Sequence, residues 1–387
     1  MVLSGPVSRD ALGRVLLSDK TVSGLAQLAD AATPVTLVTL VRPAGESDTA
    51  NLGNRWREPS DLPFAVHCTD RLADGLDAVA PEVVLAPLRV ESAPLLGGRR
   101  PVVLVAENPL RERLRYAFAD LPRRVDRARL AVGLIRQAPV LRRLVRQSAG
   151  LQCNGFAAWE AYRRHAVDPL LFFDSRVEAA TVASAAGTPA PARPGRLRLG
   201  FSGRLARQKG PEYAVRLHRT LRAAGHEVTL DVFGSGPLEA SLRAEAGDGV
   251  TFHGTVDFRS EWIPRVRDSI DVMVTPHIQG DPSGTYAEAM GVGVPLLGFA
   301  NAALAPLVAR HQVGWAVPIG DEQALLAAAV RLVRDPGEGA RARRACLDFM
   351  ATHAFEPETA RRRDHALSCA EHWWARNGSD RPSAAGG

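Results

Sequence analysis

Lysine is almost missing from this chain: of 48 basic side chains, only Lys20 and Lys209 are lysines. The four cysteines, Cys68, Cys153, Cys346 and Cys369, show no C-x-x-C pair and no adjoining histidine pattern. That spacing argues against a disulfide framework or a zinc site and fits buried free thiols in a reducing compartment. No apolar run reaches the ~18 residues that span a bilayer. Residues 1–10 lack a basic stretch followed by a long apolar one, so no signal peptide is expected. Aromatic residues are only 6% of the chain and are not interleaved with arginines, which argues against a nucleic-acid surface. The expected compartment is the cytoplasm.

At 387 residues the chain is too long for one ordinary domain and suits two of similar size. A hydrophobic content of 46% with 23% charged residues fits a globular protein with a sizeable core. The basic excess is local. Residues 111–146 hold 11 arginines against Glu112, Asp120 and Asp126, a net of +8 in a chain whose formal charge is +6. This segment reads as a solvated helical face. Its second reading is a peripheral contact with the inner face of an anionic membrane, with Leu114, Phe118, Leu121, Leu130, Leu134, Leu141 and Leu144 on the lipid side.

From residue 196 onward short apolar or β-branched runs alternate with longer amphipathic ones. Strands are predicted at 196–201, 228–233, 250–253, 270–275, 295–298 and 314–317, and helices at 212–224, 238–245, 286–291, 302–310 and 322–333. The rhythm is that of a doubly wound parallel α/β sheet. The first half repeats it less clearly. There, strands are predicted at 35–40, 64–67, 83–85, 102–105, 151–153 and 170–173, with helices at 22–32, 71–79, 123–147 (interrupted at Pro139) and 157–164. Residues 43–63 read as a long loop. The expected division is a Rossmann-like domain at 1–177, a linker at 178–195 and a second Rossmann-like domain at 196–354. A helix at 355–376 and a disordered tail at 377–387 complete it. Trp373 and Trp374 read as packing residues on that helix.

Three stretches carry candidate chemistry. Gly203-Arg204-Leu205-Ala206-Arg207-Gln208-Lys209-Gly210 lies between a strand and a helix. A glycine turn with two cations ahead of a helix start is a phosphate-binding layout, in which Arg204 offers a fork and Lys209 a point charge. Phe233-Gly234-Ser235-Gly236-Pro237 puts two glycines at a strand end, where a ring or ribose could approach backbone. In Gly280-Asp281-Pro282-Ser283-Gly284-Thr285-Tyr286-Ala287-Glu288 a small-residue turn enters a helix, so Ser283, Gly284 and Thr285 would present free N–H groups to an anion.

In order and spacing, Gly-Arg-Leu-x-x-x-Lys-Gly, Phe-Gly-x-Gly-Pro and Glu-Ala-Met-x-x-Gly-Val-Pro resemble the retaining GT-B glycosyltransferases of family 4, the group 1 glycosyltransferases. The resemblance implies the GT-B architecture, two Rossmann-like domains facing a cleft. It also implies a nucleotide-diphosphate sugar as donor substrate, UDP-sugar favoured over GDP- or dTDP-sugar, with no separate cofactor. Arg204 and Lys209 would hold the diphosphate, Glu288 would accept from the ribose hydroxyls, and backbone near Gly234–Gly236 and His253–Thr255 would contact the base. Gly203 joins this donor-binding set. The acceptor is open: a small natural product, an oligosaccharide or a lipid-linked sugar.

One position departs from the pattern. Where the family carries a second glutamate, eight residues before Glu288, this chain has Gly280. Asp281 is the nearest carboxylate. Either it grips the donor sugar instead, or it only caps the turn. In the first half, Glu107 follows a strand facing the presumed cleft and is the candidate for a catalytic contact, against a reading as a loop acid. Gly13 and Lys20 are the other candidate contacts. For Lys20 the alternative is simple pairing with Asp19 or solvent.

The implied reaction moves a sugar to an acceptor hydroxyl or amine with retention. Cationic side chains and helix-start amides, rather than a metal ion, would stabilise the leaving diphosphate. A sugar-nucleotide epimerase of the same fold and a non-catalytic nucleotide-sugar-binding relative remain alternatives. A dinucleotide-dependent oxidoreductase does not fit, since Gly234-Ser235-Gly236 lacks the third glycine opening a helix.

Overall fold

A computed structural model describes residues 1–2, 5–29, 33–45, 54–120, 123–188 and 195–377. Of the expected tail at 377–387, Asn377 instead ends the last helix and residues 378–387 lie outside the described residues, as do the parts of the expected loop and linker at 46–53 and 189–194.

The carboxyl-terminal half is built on six strands: β10 (Arg196–Ser202), β11 (Glu227–Phe233), β12 (Val250–Gly254), β13 (Val272–Thr275), β14 (Leu296–Phe299) and β15 (Gly314–Val317). They form one sheet in the order β12-β11-β10-β13-β14-β15, every pairing parallel. In β10, β13 and β14 the apolar runs are buried on both faces. Leu199, Leu230, Val274 and Leu297 pack with helices on one side, and Met273 and Leu296 with Met290, Leu304 and Met350 on the other. Each such side chain contributes roughly 1.5–3 kcal/mol by leaving water. The chain winds outward from β10 to β12, then crosses back to β13 and winds the other way. Loops leaving the carboxyl ends of β10 and β13 therefore diverge around a crevice, the place where open α/β sheets take ligands.

The amino-terminal half holds a four-stranded parallel sheet, β6 (Val84–Pro87), β7 (Val102–Ala106), β8 (Gly150–Asn154) and β9 (Pro169–Phe172). Beside it lies a five-stranded sheet formed by β1 (Val7–Arg9), β2 (Val15–Ser18), β3 (Thr36–Pro43), β4 (Asn54–Arg57) and β5 (Ala65–Thr69), in the order β4-β2-β1-β3-β5. Met1 and Val2 join the two sheets: the Val2 N–H donates to the Leu85 carbonyl, and the Val38 N–H donates to the Met1 carbonyl.

Several elements differ from the sequence reading. Strands β1, β2 and β4 were not expected, and β4 falls within the expected loop. Helix α3 (Leu110–Asp120) is additional, and helix α4 (Arg124–Gln147) runs unbroken through Pro139. The expected linker contains a helix at Ala179–Ala186, and another helix covers Pro336–His353. The last helix, Phe355–Asn377, packs back across β7, β8 and β9, and the Trp374 indole donates to the Glu82 carbonyl at 3.3 Å. Among the described residues no helix is long and apolar enough to cross a membrane.

Candidate functional site

Between the two halves lies a cavity of about 750 Å³. The amino-terminal side contributes Lys20 and Asp174, and the carboxyl-terminal side contributes Gly203, Gly234, Thr255 and Phe258. Helix α1 (Asp19–Leu28) begins at this cavity because Ser18 caps it, accepting from the Thr21 N–H. That start holds Lys20 at the cleft. Its partner is Asp174, at 2.5 Å, rather than Asp19, which pairs with Arg55 and Arg57. Burial alone would lower the Lys20 ammonium; Asp174, Glu107 and Glu288 outweigh it, and the pKa is raised.

The glycines of the second stretch serve the scaffold. A Cβ on Gly234 would fall 2.1 Å from the Gly203 carbonyl oxygen, and one on Gly236 2.5 Å from that of Leu205. The loops after β10 and β11 thus pack backbone to backbone, with the Gly203 N–H donating to Phe233 and the Leu205 N–H to Ser235. Gly203 itself, at φ +146°, faces open space. His253 is likewise committed to packing: its Nε2 lies 2.6 Å from Asp231 and its ring stacks on Phe233. Gly254 and Thr255 next to it border the cavity.

Lys209 ends a single 3-10 turn, Arg207–Lys209, closed by Gly210 in the left-handed region at φ +63°. A Cβ there would meet the Pro276 carbonyl oxygen at 2.4 Å, so the turn docks on the loop after β13. The Ile278 N–H, donating to the Gln208 carbonyl, fixes the same contact. Lys209 Nζ consequently lies 3.5 Å from Asp281 Oδ2. Burial lowers the Lys209 pKa, partly offset by Asp281. Beneath it His277 is fully buried with neither ring nitrogen hydrogen-bonded, and burial with the nearby Lys209 charge holds it neutral, far below the usual histidine range. Arg204 is exposed at the mouth of the same loop.

Helix α10 (Gly284–Gly291) starts after Ser283, whose hydroxyl does not cap it. Thr285 donates to the Ser202 carbonyl at 3.3 Å, tying this helix start to the end of β10. One turn on, the buried Glu288 accepts from Arg176 Nε at 2.7 Å. The Arg176 guanidinium carbon lies over Phe258, 3.7 Å from the ring centroid.

Glu107 stands exposed at the carboxyl end of β7 and borders a second cavity of about 400 Å³, with Asn108, Arg113 and Tyr162. Gly13 does not border the cleft: it sits at the tip of the β1–β2 hairpin, at φ +88°. Sequence reasoning missed Arg176, Asp174 and Glu112. The last is a residue of α3, buried at 3% exposure, that accepts the Gly280 N–H at 2.8 Å. Their partners lie more than 100 residues away in the chain or on separate loops, and no local pattern marks them.

Away from the cleft, the ligand atoms of Asp168, His365 and Cys369 lie within 4.8 Å of one another, close enough to hold a metal ion, a grouping that the cysteine spacing in the sequence does not show. They sit at the opposite end of β9, where His365 and Cys369 pack the last helix onto the sheet.

Residues 196–335 match the family model for glycosyl transferases group 1. A 141-residue stretch is 30% identical to the 2-deoxystreptamine glucosyltransferase of Streptomyces kanamyceticus, covering 36% of each chain. A 145-residue stretch is 32% identical to the amylovoran biosynthesis glycosyltransferase AmsK of Erwinia amylovora, covering 35% of this chain and 36% of that one. The chain thus spans about a third of the length of these curated relatives. Over nearly its whole length it resembles solved structures. HepE of Anabaena, in complex with UDP and glucose, matches 92% of this chain and 95% of its own at TM-score 0.56 and 16% identity. Sucrose-phosphate synthase from Thermosynechococcus elongatus matches 92% of both at TM-score 0.60 and 17% identity. This likeness shows the fold: the GT-B arrangement of two α/β domains built on parallel sheets.

Proposed function

We propose that the protein is a glycosyltransferase that moves a sugar from a nucleoside-diphosphate sugar, a UDP-sugar by preference, to a sugar-like acceptor, with retention and without a metal ion. The observation that carries this reading is Lys209, half-buried and held over the loop after β13 at the crevice where the two sheet halves diverge. A diphosphate there would meet Lys209, the Arg204 guanidinium and the N–H groups opening α10. Their interaction strengthens as the glycosidic bond breaks and charge builds on the leaving phosphate. Glu288 would accept from the ribose hydroxyls, and backbone at Gly254–Thr255 would border the base. A leaving-phosphate oxygen takes the acceptor proton, so no side-chain base is required. Glu107 and Lys20 would orient the reacting sugars from the opposite wall. Both curated relatives above are named as glycosyltransferases.

Thermal unfolding with UDP, GDP and dTDP, each with excess chelator, tests the reading. A ligand that binds only the folded state raises its stability by mass action. Stabilisation by one nucleotide, abolished in Lys209→Met, is the expected result. No shift with any of them at millimolar ligand would sink it.

The acceptor reading extends to a lipid-linked sugar on an anionic surface, with a cytoplasmic, peripheral protein. Val125 and Ile135 on α4 are 69% and 56% exposed, and Arg124, Arg129, Arg136 and Arg143 are exposed on the same helix. Apolar side chains among arginines suit an anionic interface. Co-sedimentation with phosphatidylglycerol vesicles, lost at high salt and in an Ile135→Glu variant, is expected; binding indifferent to anionic lipid would refute it.

A further inference from the structure

The last helix carries His365, Cys369 and His372 at successive spacings of four and three residues, so all three lie on one face. That face meets the loop ahead of β9, where Asp168 stands 197 residues from His365 in the chain. His365 Nε2 lies 3.7 Å from Asp168 Oδ1 and 3.5 Å from Cys369 Sγ. His372 Nδ1 lies 3.9 Å from Asp168 Oδ2. The sulfur is fully buried against Gly150, the first residue of β8. A Cβ there would fall 2.3 Å from Sγ and 3.3 Å from the Asp168 carbonyl oxygen, so glycine at this position lets thiol, strand and loop converge.

The 3.7 and 3.9 Å separations exceed hydrogen-bond length, whose mode for N–H···O is about 2.9–3.0 Å. They suit a shared ion better. A tetrahedral ion bonded at about 2.0–2.3 Å holds its ligand atoms roughly 3.3–3.8 Å apart. The other polar neighbours of the His365 ring are weak: the Asp168 carbonyl is 3.3 Å from Nε2, and the Gln152 amide nitrogen is 3.4 Å from Nδ1. Contacts that long do not fix which nitrogen carries the proton, and Nε2 is able to present a lone pair. Thiolate, imidazole and carboxylate together form a donor set for zinc rather than for calcium or magnesium, which take oxygen.

We infer that Asp168, His365 and Cys369 bind a zinc-class divalent ion, with the exposed His372 turning in as the fourth ligand. Loading replaces the thiol proton: the S–H bond breaks, the proton passes to solvent and the sulfur–metal bond forms, while both imidazoles bind neutral. Four protein ligands close the coordination sphere, the mark of a structural site. Its place agrees. Asp174, just past the carboxyl end of β9, borders the cleft, whereas Asp168 lies at the other end of that strand. The ion would staple the last helix to β8 and β9, apart from the sugar-transfer chemistry proposed above.

Titration of untagged, chelator-stripped protein with Co(II) and then Zn(II) tests the site. Expected are a sulfur-to-cobalt charge-transfer band and the strong visible bands of a four-coordinate ion, saturating at one ion per chain and lost when zinc displaces cobalt. Zinc should also raise the thermal midpoint by mass action, in wild type but not in Cys369→Ala. Cys369→Ala should lack the charge-transfer band, and His365→Gln and Asp168→Asn should bind cobalt at least about tenfold more weakly. No band in folded wild type at millimolar cobalt, or a band that survives in Cys369→Ala, overturns the inference. Should Cys369→Ala fail to fold, His365→Gln decides: wild-type cobalt affinity there overturns the site equally. Unchanged affinity in His372→Ala would remove that residue as the fourth ligand.

Discussion

Arg176 Nε and Glu288 Oε1 meet at 2.7 Å across the cleft, joining the segment after β9 to α10. The carboxylate proposed to accept ribose hydroxyls thus already has a cationic partner, itself laid on Phe258. Arg176 restricts how Glu288 can turn. Glu288→Ala is expected to weaken nucleoside-diphosphate binding by roughly ten- to hundredfold, in line with ~1.5–3 kcal/mol for hydrogen bonds to a charged group. Arg176→Met should weaken it less, because the acceptor survives and only its orientation loosens. Isothermal titration of both variants checks the order; the reverse order would remove Glu288 from the ribose.

Lys209 and Asp281 make the second prediction. Asp281 Oδ2 neutralises the cation that a diphosphate would need. Asp281→Asn should therefore tighten UDP binding severalfold, while Lys209→Met should abolish it. Burial lowers the Lys209 pKa from its ordinary value of 10.5. The protonated form binds the anion, so affinity should fall as pH rises toward that value, earlier than for an exposed lysine. Titration from neutral to alkaline pH tests this, and a flat profile in wild type would refute it.

The carboxyl-terminal strands were legible to within about two residues, because β10 to β15 are short apolar or β-branched runs bounded by turn residues, and β10, β13 and β14 are buried on both faces. The amino-terminal half was harder to read. Strands β1, β2 and β4 are three or four residues long, too short to show a period. Pro139 marked a break that α4 does not make, since packing of Leu141, Leu144 and Val145 holds the helix beyond it. At the site, Lys20 and Lys209 stood out by rarity, and Gly280 by departing from a pattern. Glu112, the group that accepts the Gly280 N–H, stands 168 residues away and left no trace in local sequence.

Gly210 shows a backbone demand that can be tested by stability. Its φ of +63° and the Pro276 carbonyl oxygen, 2.4 Å from where a Cβ would stand, both oppose any side chain. Gly210→Ala should cost at least about 1–2 kcal/mol, the left-handed strain alone, and should displace Lys209 from Asp281. Chemical denaturation with UDP titration checks both effects; native stability with native UDP affinity would show that the turn does not rely on this glycine.

His277 is expected to contribute to the loss of stability in acid. It is buried against Tyr286, its ring centroids 5.3 Å apart, and is held neutral by burial and by the Lys209 charge. In the unfolded chain the same imidazole takes a proton near its ordinary value of 6.5. Below that pH the unfolded state binds more protons than the folded state, so stability rises with pH and is lost on acidification. One such group contributes a slope of about 1.4 kcal/mol per pH unit, between 6.5 and its lower folded value. His218, also lowered by burial, adds to the same limb. Denaturant titrations at pH 7 and pH 5 should show a smaller acid loss in His277→Asn than in wild type. An equal loss in both would assign the acid limb to the other histidines and to the carboxylates.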